Sequence, residues 1–173
     1  MAAGDQTLAA MRVQLAGETN GVPRLLGSTL SGHLFTHAHP TLETVEDALA
    51  NDSDKTFTVP AATQWWVHSI EVVFTSTASV GNRQLALLIE DSATIQYFFM
   101  NAGLLQTASL TTIYVFAPGL PHQTALINTQ LLVPIPPNLL IGAAGTMRLV
   151  DTNGVDAAAD DMTVRINRST YAL

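Results

Sequence analysis

Gln64-Trp-Trp-Val-His-Ser-Ile-Glu-Val-Val-Phe-Thr-Ser76 is the stretch on which the fold turns. Trp66, His68, Ile70, Val72 and Phe74 alternate with Trp65, Val67, Ser69, Glu71 and Val73. A period of two is that of a β-strand with one face in a core and a mixed opposite face. Downstream, short runs rich in β-branched and aromatic residues recur between turn signals, which predicts about eight strands, at 64–76, 82–91, 94–100, 111–116, 125–133, 139–141, 146–150 and 162–171. Gly81-Asn82, Asn101-Ala-Gly103 and Asn153-Gly154 supply turn residues, and Pro118, Pro121, Pro134, Pro136 and Pro137 fall between the runs. Nothing between the strands has helical length and period, so a parallel α/β fold is disfavoured. The expectation is an all-β, antiparallel jelly-roll β-sandwich at 55–173.

Residues 1–54 differ, with no Trp or Tyr and only short alternating runs, and read as an extended N-terminal arm. Within it, Leu42, Val45 and Leu49 stand at helical spacing behind Pro40 and Thr41, which allows a two-turn helix over 41–49. A polar break at 51–54 then separates arm from body.

The 173 residues include 14 Asp+Glu against 7 Lys+Arg, and no Cys. Disulfides and thiol chemistry are excluded, and a net charge of −7 with scattered cations leaves no basic field for nucleic acid. Residues 1–11 lack a basic start and so the layout of a secretory signal, which implies synthesis in the cytoplasm. The apolar tract 131–145 is broken by Pro134, Pro136, Pro137 and Asn138, so no membrane segment is expected. From residue 56 onward only eleven of 118 residues are charged. Average globular chains carry about 25%. Interface cores are depleted in charge, so this dilution points to a surface covered by neighbours in an assembly; the alternative is a compact β domain with a Thr-, Ser-, Asn- and Gln-rich surface.

The nucleophile elbow, phosphate loop, dinucleotide fingerprint and two-His zinc helix are absent from the sequence. His37, His39 and Glu43 are the sharpest metal candidates, since Gly32-His33-Leu-Phe-Thr-His37-Ala-His39-Pro-Thr-Leu-Glu43 resembles the first metal motif of cupins and Gly119-Leu-Pro-His122 part of the second. Pro40 after the second His and the wide separation of the halves favour exposed or hydrogen-bonding histidines instead. Asp151, Asp156, Asp160 and Asp161 offer oxygens for calcium, but the spacing suits an acidic loop in which Asp side chains cap backbone N–H groups. Adjacent Glu90 and Asp91 point to opposite strand faces and cannot share a substrate. Trp65, Trp66, Tyr97, Phe98 and Phe99 suggest a sugar-stacking platform, against which stands a split between core and interface. No cofactor is expected, and His68 reads as a satisfied core or interface residue.

Four stretches together resemble signatures of small structural proteins of tailed bacteriophages, of the jelly-roll capsid decoration or cement type. They are Thr77-Ala-Ser-Val-Gly81-Asn82-Arg83-Gln84-Leu85, Tyr114-Val-Phe116-Ala117-Pro118-Gly119-Leu120, Pro134-Ile-Pro136-Pro137, and Val155-Asp156-Ala-Ala-Ala-Asp160-Asp161-Met162. The resemblance implies a non-enzymatic virion protein on the outer capsid surface, a homotrimer whose partner is the major capsid protein, with residues 1–54 reaching across a seam. Arg83, two residues past Gly81, is expected to brace its turn by bonding loop carbonyls or an Asp. The alternatives are the base of a head fibre or tail appendage, a carbohydrate-binding adsorption module using Trp65 or Trp66, and a cupin-like metalloenzyme.

Overall fold

A computed structural model describes residues 26–28, 34–36, 41–51, 54–156 and 158–173. The chain divides into two units, Met1–His39 and Pro40–Leu173. In the first, β1 (Leu26–Ser28) and β2 (Leu34–Thr36) form an antiparallel pair.

The second unit is a β-sandwich of ten strands, β3 (Thr41–Asn51), β4 (Lys55–Thr58), β5 (Thr63–Thr75), β6 (Leu85–Glu90), β7 (Gln96–Asn101), β8 (Thr111–Pro118), β9 (Gln130–Ile135), β10 (Leu139–Ile141), β11 (Thr146–Asp151) and β12 (Asp161–Ala172). One sheet runs β3-β12-β5-β8-β9, with β10 pairing β5 beyond the end of β8; the other runs β4-β11-β6-β7. Val67, Ile70, Val72, Phe74, Tyr114 and Phe116 from the first sheet meet Leu85, Leu87, Ile89, Met147 and Leu149 from the second, all fully buried. The all-β class is as the alternation indicated. Among the described residues there is no helix, and so none long and apolar enough to cross a membrane.

Four expectations need correction. The segment 41–49 is not a helix but part of β3, paired with β12 from Thr41 to Asp47 and again at Asn51 across a register shift. Leu42 and Leu49, two of the three residues that suggested a helical stripe, are exposed, while Val45 opposite Ile166 packs on the core. Three apolar residues are too few to select a helix when a neighbouring strand offers a ladder of backbone hydrogen bonds along one side. Second, the sandwich is mixed, because β8 and β9 are parallel, joined by a connection over 119–129. Third, Pro134 lies inside β9, where it is tolerated because β9 is an edge strand. Fourth, Gly81-Asn82 is not a hairpin tip. It lies in a connection crossing from β5 in one sheet to β6 in the other, with Gly81 at φ +149°.

Strand β5 also breaks its own alternation. Ser69 pairs with Asn167 and Val67 with Arg168, leaving His68 as an extra residue in a β-bulge. The phase shifts there, so Trp65 and Val67, not Trp66 and His68, share the core face with Ile70, Val72 and Phe74.

Candidate interaction surface

The connections β5–β6 and β11–β12 both cross between the sheets, and Arg83 ties them together. Its side chain is completely buried, and all five of its N–H groups have acceptors. Nε and Nη2 donate to Asp160 at 2.8 and 3.1 Å, Nη1 to the carbonyls of Ser79 and Gly81 at 2.7 and 2.9 Å, and Nη2 also to the Thr77 hydroxyl at 3.1 Å. Asp160 takes the Thr77 N–H as well, at 2.7 Å. Asp156 accepts from the hydroxyls of Thr77 and Ser79, both at 2.7 Å. Asp151 accepts the N–H groups of Gln84, Asn153 and Val155, and the Asn153 side chain donates to the Asn82 carbonyl. The geometry thus gathers Gly81, Asn82, Arg83, Asp156 and Asp160 into one knot, whereas Asp161 starts β12 outside it. These carboxylates are engaged with backbone and hydroxyl donors and with Arg83. Among the described residues no three His, Asp or Glu are grouped to hold a metal.

The knot sets an acid sensitivity. Burial alone would push the Asp160 carboxyl up, but the bonds from Arg83 and Thr77 outweigh it and hold the group below its ordinary value of 3.8. Hydroxyl bonds from Ser79 and Thr77 lower Asp156, and the bond from Thr170, opposed by burial and aided by Arg168, lowers Glu43. A carboxylate with a depressed folded pKa contributes stability that is complete above its unfolded value and is lost as pH falls through the folded value. Urea unfolding between about pH 5 and pH 2 is therefore expected to lose stability steeply, and Asp160→Asn to flatten that slope; parallel slopes would exclude the knot as the source.

A second feature lies on one flank. Residues 92–147 contain no Asp, Glu, Lys or Arg across 56 consecutive positions. They form β7, β8, β9, β10 and their connections, which the topology gathers along one edge of the sandwich. Contacts between the sheets close this edge: the Tyr97 hydroxyl donates to the Leu140 carbonyl at 3.0 Å, and His122 Nε2 lies 3.2 Å from the Asn101 carbonyl. Gln123 covers β9, its N–H donating to the Leu132 carbonyl and its side-chain oxygen accepting the Leu132 N–H. Ile95, Tyr97, Phe99, Leu105, Ile127 and Leu140 of this uncharged stretch are exposed, six of the ten large exposed hydrophobics among the described residues; Phe99, opposite Leu88, and Leu140, opposite Trp66, lie on opposite outer faces, and Asp91 accepts the Ile95 N–H at 2.9 Å. The opposite edge, β3 and β4, is charged: Lys55 pairs with Asp47 and donates to the Leu49 carbonyl, Arg168 pairs with Glu43, and Arg165 bridges Glu46 and Glu71.

The remaining candidate residues scatter. Trp65 is buried under the guanidinium of Arg168, which sits 3.4 Å from its ring centroid, while Trp66 faces outward beside His68 and Tyr171. The two indoles therefore form no common platform. His68 is half-buried on the outer face and hydrogen-bonds the Ser169 hydroxyl at 2.7 Å. Pro118 ends β8, exposed Gly119 follows at φ +75°, and Pro136 and Pro137 lie exposed between β9 and β10. Glu43 bonds Arg168 and Thr170; His37 and His39 lie outside the described residues. Sequence reasoning missed Gln106. Completely buried, it donates to the carbonyls of Phe74 and Leu110 and accepts from the Tyr114 hydroxyl, and its backbone pairs with that of Arg83.

No family model matches the chain, and no curated protein does. Among solved structures it is similar to that of infectious bursal disease virus Gx strain, at 8% identity and TM-score 0.36, over 86% of this chain and 36% of that one. Particles of T=1 type derived from infectious bursal virus align at 13% identity and TM-score 0.35, over 87% and 36%. The Gt strain aligns at 11% and 0.32, over 87% and 37%. The chain spans little more than a third of the length of each. Similarity at this level carries no argument about function.

Proposed function

We propose that this protein is a non-enzymatic structural component of a virion, a jelly-roll decoration or cement protein on the outer surface of a tailed-phage head. The observation that carries this reading is the segregation of charge, with 56 consecutive uncharged residues that expose six large hydrophobic side chains. Such a stretch has the composition of protein–protein contacts and not of a solvated surface. The buried Arg83 knot supports it, because a clamp must hold its connections rigid while its faces are loaded. The motif set of the sequence supplies the virion context. In this reading the partner is the major capsid protein, the cement is a homotrimer, and residues 1–54 serve as an arm towards a neighbouring subunit, with β3 of that segment anchored on β12.

The test is co-sedimentation of the purified protein with phage heads from which decoration protein is missing. Saturable binding at a fixed number of copies per head, with a raised melting temperature of the heads, is the expected result. Protein left in the supernatant at saturating concentration would refute the cement reading.

A further inference from the structure

We infer that the outer face of the first sheet carries a lane that binds a neutral oligosaccharide, floored by Tyr171, Trp66 and His68. The bulge at His68 creates it. Regular alternation with Ile70, Val72 and Phe74 would have buried Trp66 and His68, whereas the extra residue turns both outward. The register of β12 brings Tyr171, opposite Gln64, to the same face. The Trp66 ring centroid lies 5.8 Å from that of His68, with the planes at 37°, and 6.4 Å from that of Tyr171, at 27°. Stacked planes in contact are about 3.5 Å apart. Rings this nearly parallel with centroids this far apart are therefore displaced sideways, like steps, and part of each face stays uncovered. Leu140 stands opposite Trp66 on β10 and Leu42 opposite Ser169 on β3, 47% and 67% exposed, so an apolar side chain borders the lane on either side.

The chemistry of the lane selects its ligand. An aromatic and apolar patch rimmed by polar side chains marks a binding surface. A pyranose presents C–H groups on its faces, which pack on aromatic rings, and hydroxyls around its rim, which need donors and acceptors. Gln64, Asn167 and the His68–Ser169 pair, joined at 2.7 Å, offer neutral ones beside the rings. Along β5 and β12 the nearest charged side chains on this face are Glu71 and Arg165, already paired at 3.0 Å. Neither an acidic nor a basic ligand finds an unpaired counter-charge there. An extended peptide would bring backbone N–H and C=O groups that half-buried rings leave unsatisfied. The sugar class follows from this combination of ring faces, neutral hydrogen-bonding groups and missing charge.

The experiment is titration calorimetry of the full chain, without phage heads, against cellohexaose, maltohexaose and chitohexaose, with polygalacturonate as an acidic counterpart. Saturable binding of at least one neutral oligosaccharide is expected, accompanied by a change in tryptophan emission from Trp66. Tyr171→Ala and Trp66→Ala are each expected to weaken that binding at least about tenfold. Trp66→Phe keeps a ring in the lane and is expected to fall between wild type and Trp66→Ala, which preserves the test if the alanine variant does not fold. Phe99→Ala removes an exposed ring from the outer face of the other sheet and is expected to leave binding unchanged. Thermal melts establish which variants fold. No saturable binding of any neutral oligosaccharide, preference for polygalacturonate, or binding indifferent to Tyr171→Ala and to both Trp66 variants would each overturn the inference. Because heads are absent from this measurement, its failure leaves the cement reading standing, and failure of co-sedimentation leaves the lane standing.

Discussion

Asp160→Asn is expected to destabilise the protein by about 3–5 kcal/mol in urea unfolding at neutral pH. The substitution is nearly isosteric, so the loss comes from charge and hydrogen bonding, not from a cavity. It removes the counter-charge of a guanidinium with zero exposure and turns an amide N–H₂ towards donors. Removing one partner of a buried pair leaves the other charge without compensation, which costs far more than the pair contributes net. Arg83→Lys is expected to be comparably harmful, because one ammonium with three donors cannot replace five N–H groups in a fixed fork holding Ser79, Gly81, Thr77 and Asp160. Asp156→Asn, at an exposed carboxylate, provides the contrast and is expected to cost far less. Equal losses at Asp156 and Asp160 would show that burial of the pair does not govern the knot.

Gln106→Leu is expected to cost about 3 kcal/mol, a large effect for a substitution that preserves volume. Its amide is completely buried, and the change removes donors to Phe74 and Leu110 while leaving the Tyr114 hydroxyl without an acceptor. Burial already pushes the Tyr114 phenol well above its usual range, so ionisation offers no escape. Tyr114→Phe alone is expected to lose about 1–2 kcal/mol, and the double variant less than the sum, with a coupling of about 1 kcal/mol. Strict additivity would mean that the two side chains do not depend on each other. The pair matters beyond itself because Gln106 and Arg83 exchange backbone hydrogen bonds at 2.8 and 2.9 Å, so the amide network holds the main chain from which the guanidinium reaches Asp160.

Much of the architecture is legible in the sequence where a local signal and the tertiary outcome agree. The β-branched runs that became β5, β11 and β12 carry period-two patterns between turn residues, and nothing nearby competes with them. The failures share a cause, which is that the deciding partner lies far away in sequence. Thr41–Asn51 is a strand because β12, more than a hundred residues on, lines up beside it. The inward face of Trp65 follows from one extra residue at His68, and a bulge leaves no mark in a hydrophobicity pattern. A parallel β8–β9 pair cannot be seen in two runs joined by eleven uncharged or weakly polar residues. At the candidate site, the Gly81–Arg83 spacing pointed to an arginine bonding its own turn carbonyls, because the distance is short. Gln106 had no such signal, since a buried glutamine looks like any surface glutamine. The dilution of charge is plain in the composition, whereas which strands of each sheet carry it needed the sheet order.

Strand β12 is the last to be made of those described, yet it lies between β3 and β5. Until residues 161–172 leave the ribosome, β3 has no neighbour, the long β5 lacks one of its ladders, and Asp160 has barely arrived to meet Arg83. The order of synthesis therefore places this pairing after every other described strand is made: the earlier strands must wait for a slow, long-range step. A chain stopped before residue 160 would present its uncharged strands without the frame that sets them in place, and so open to premature association.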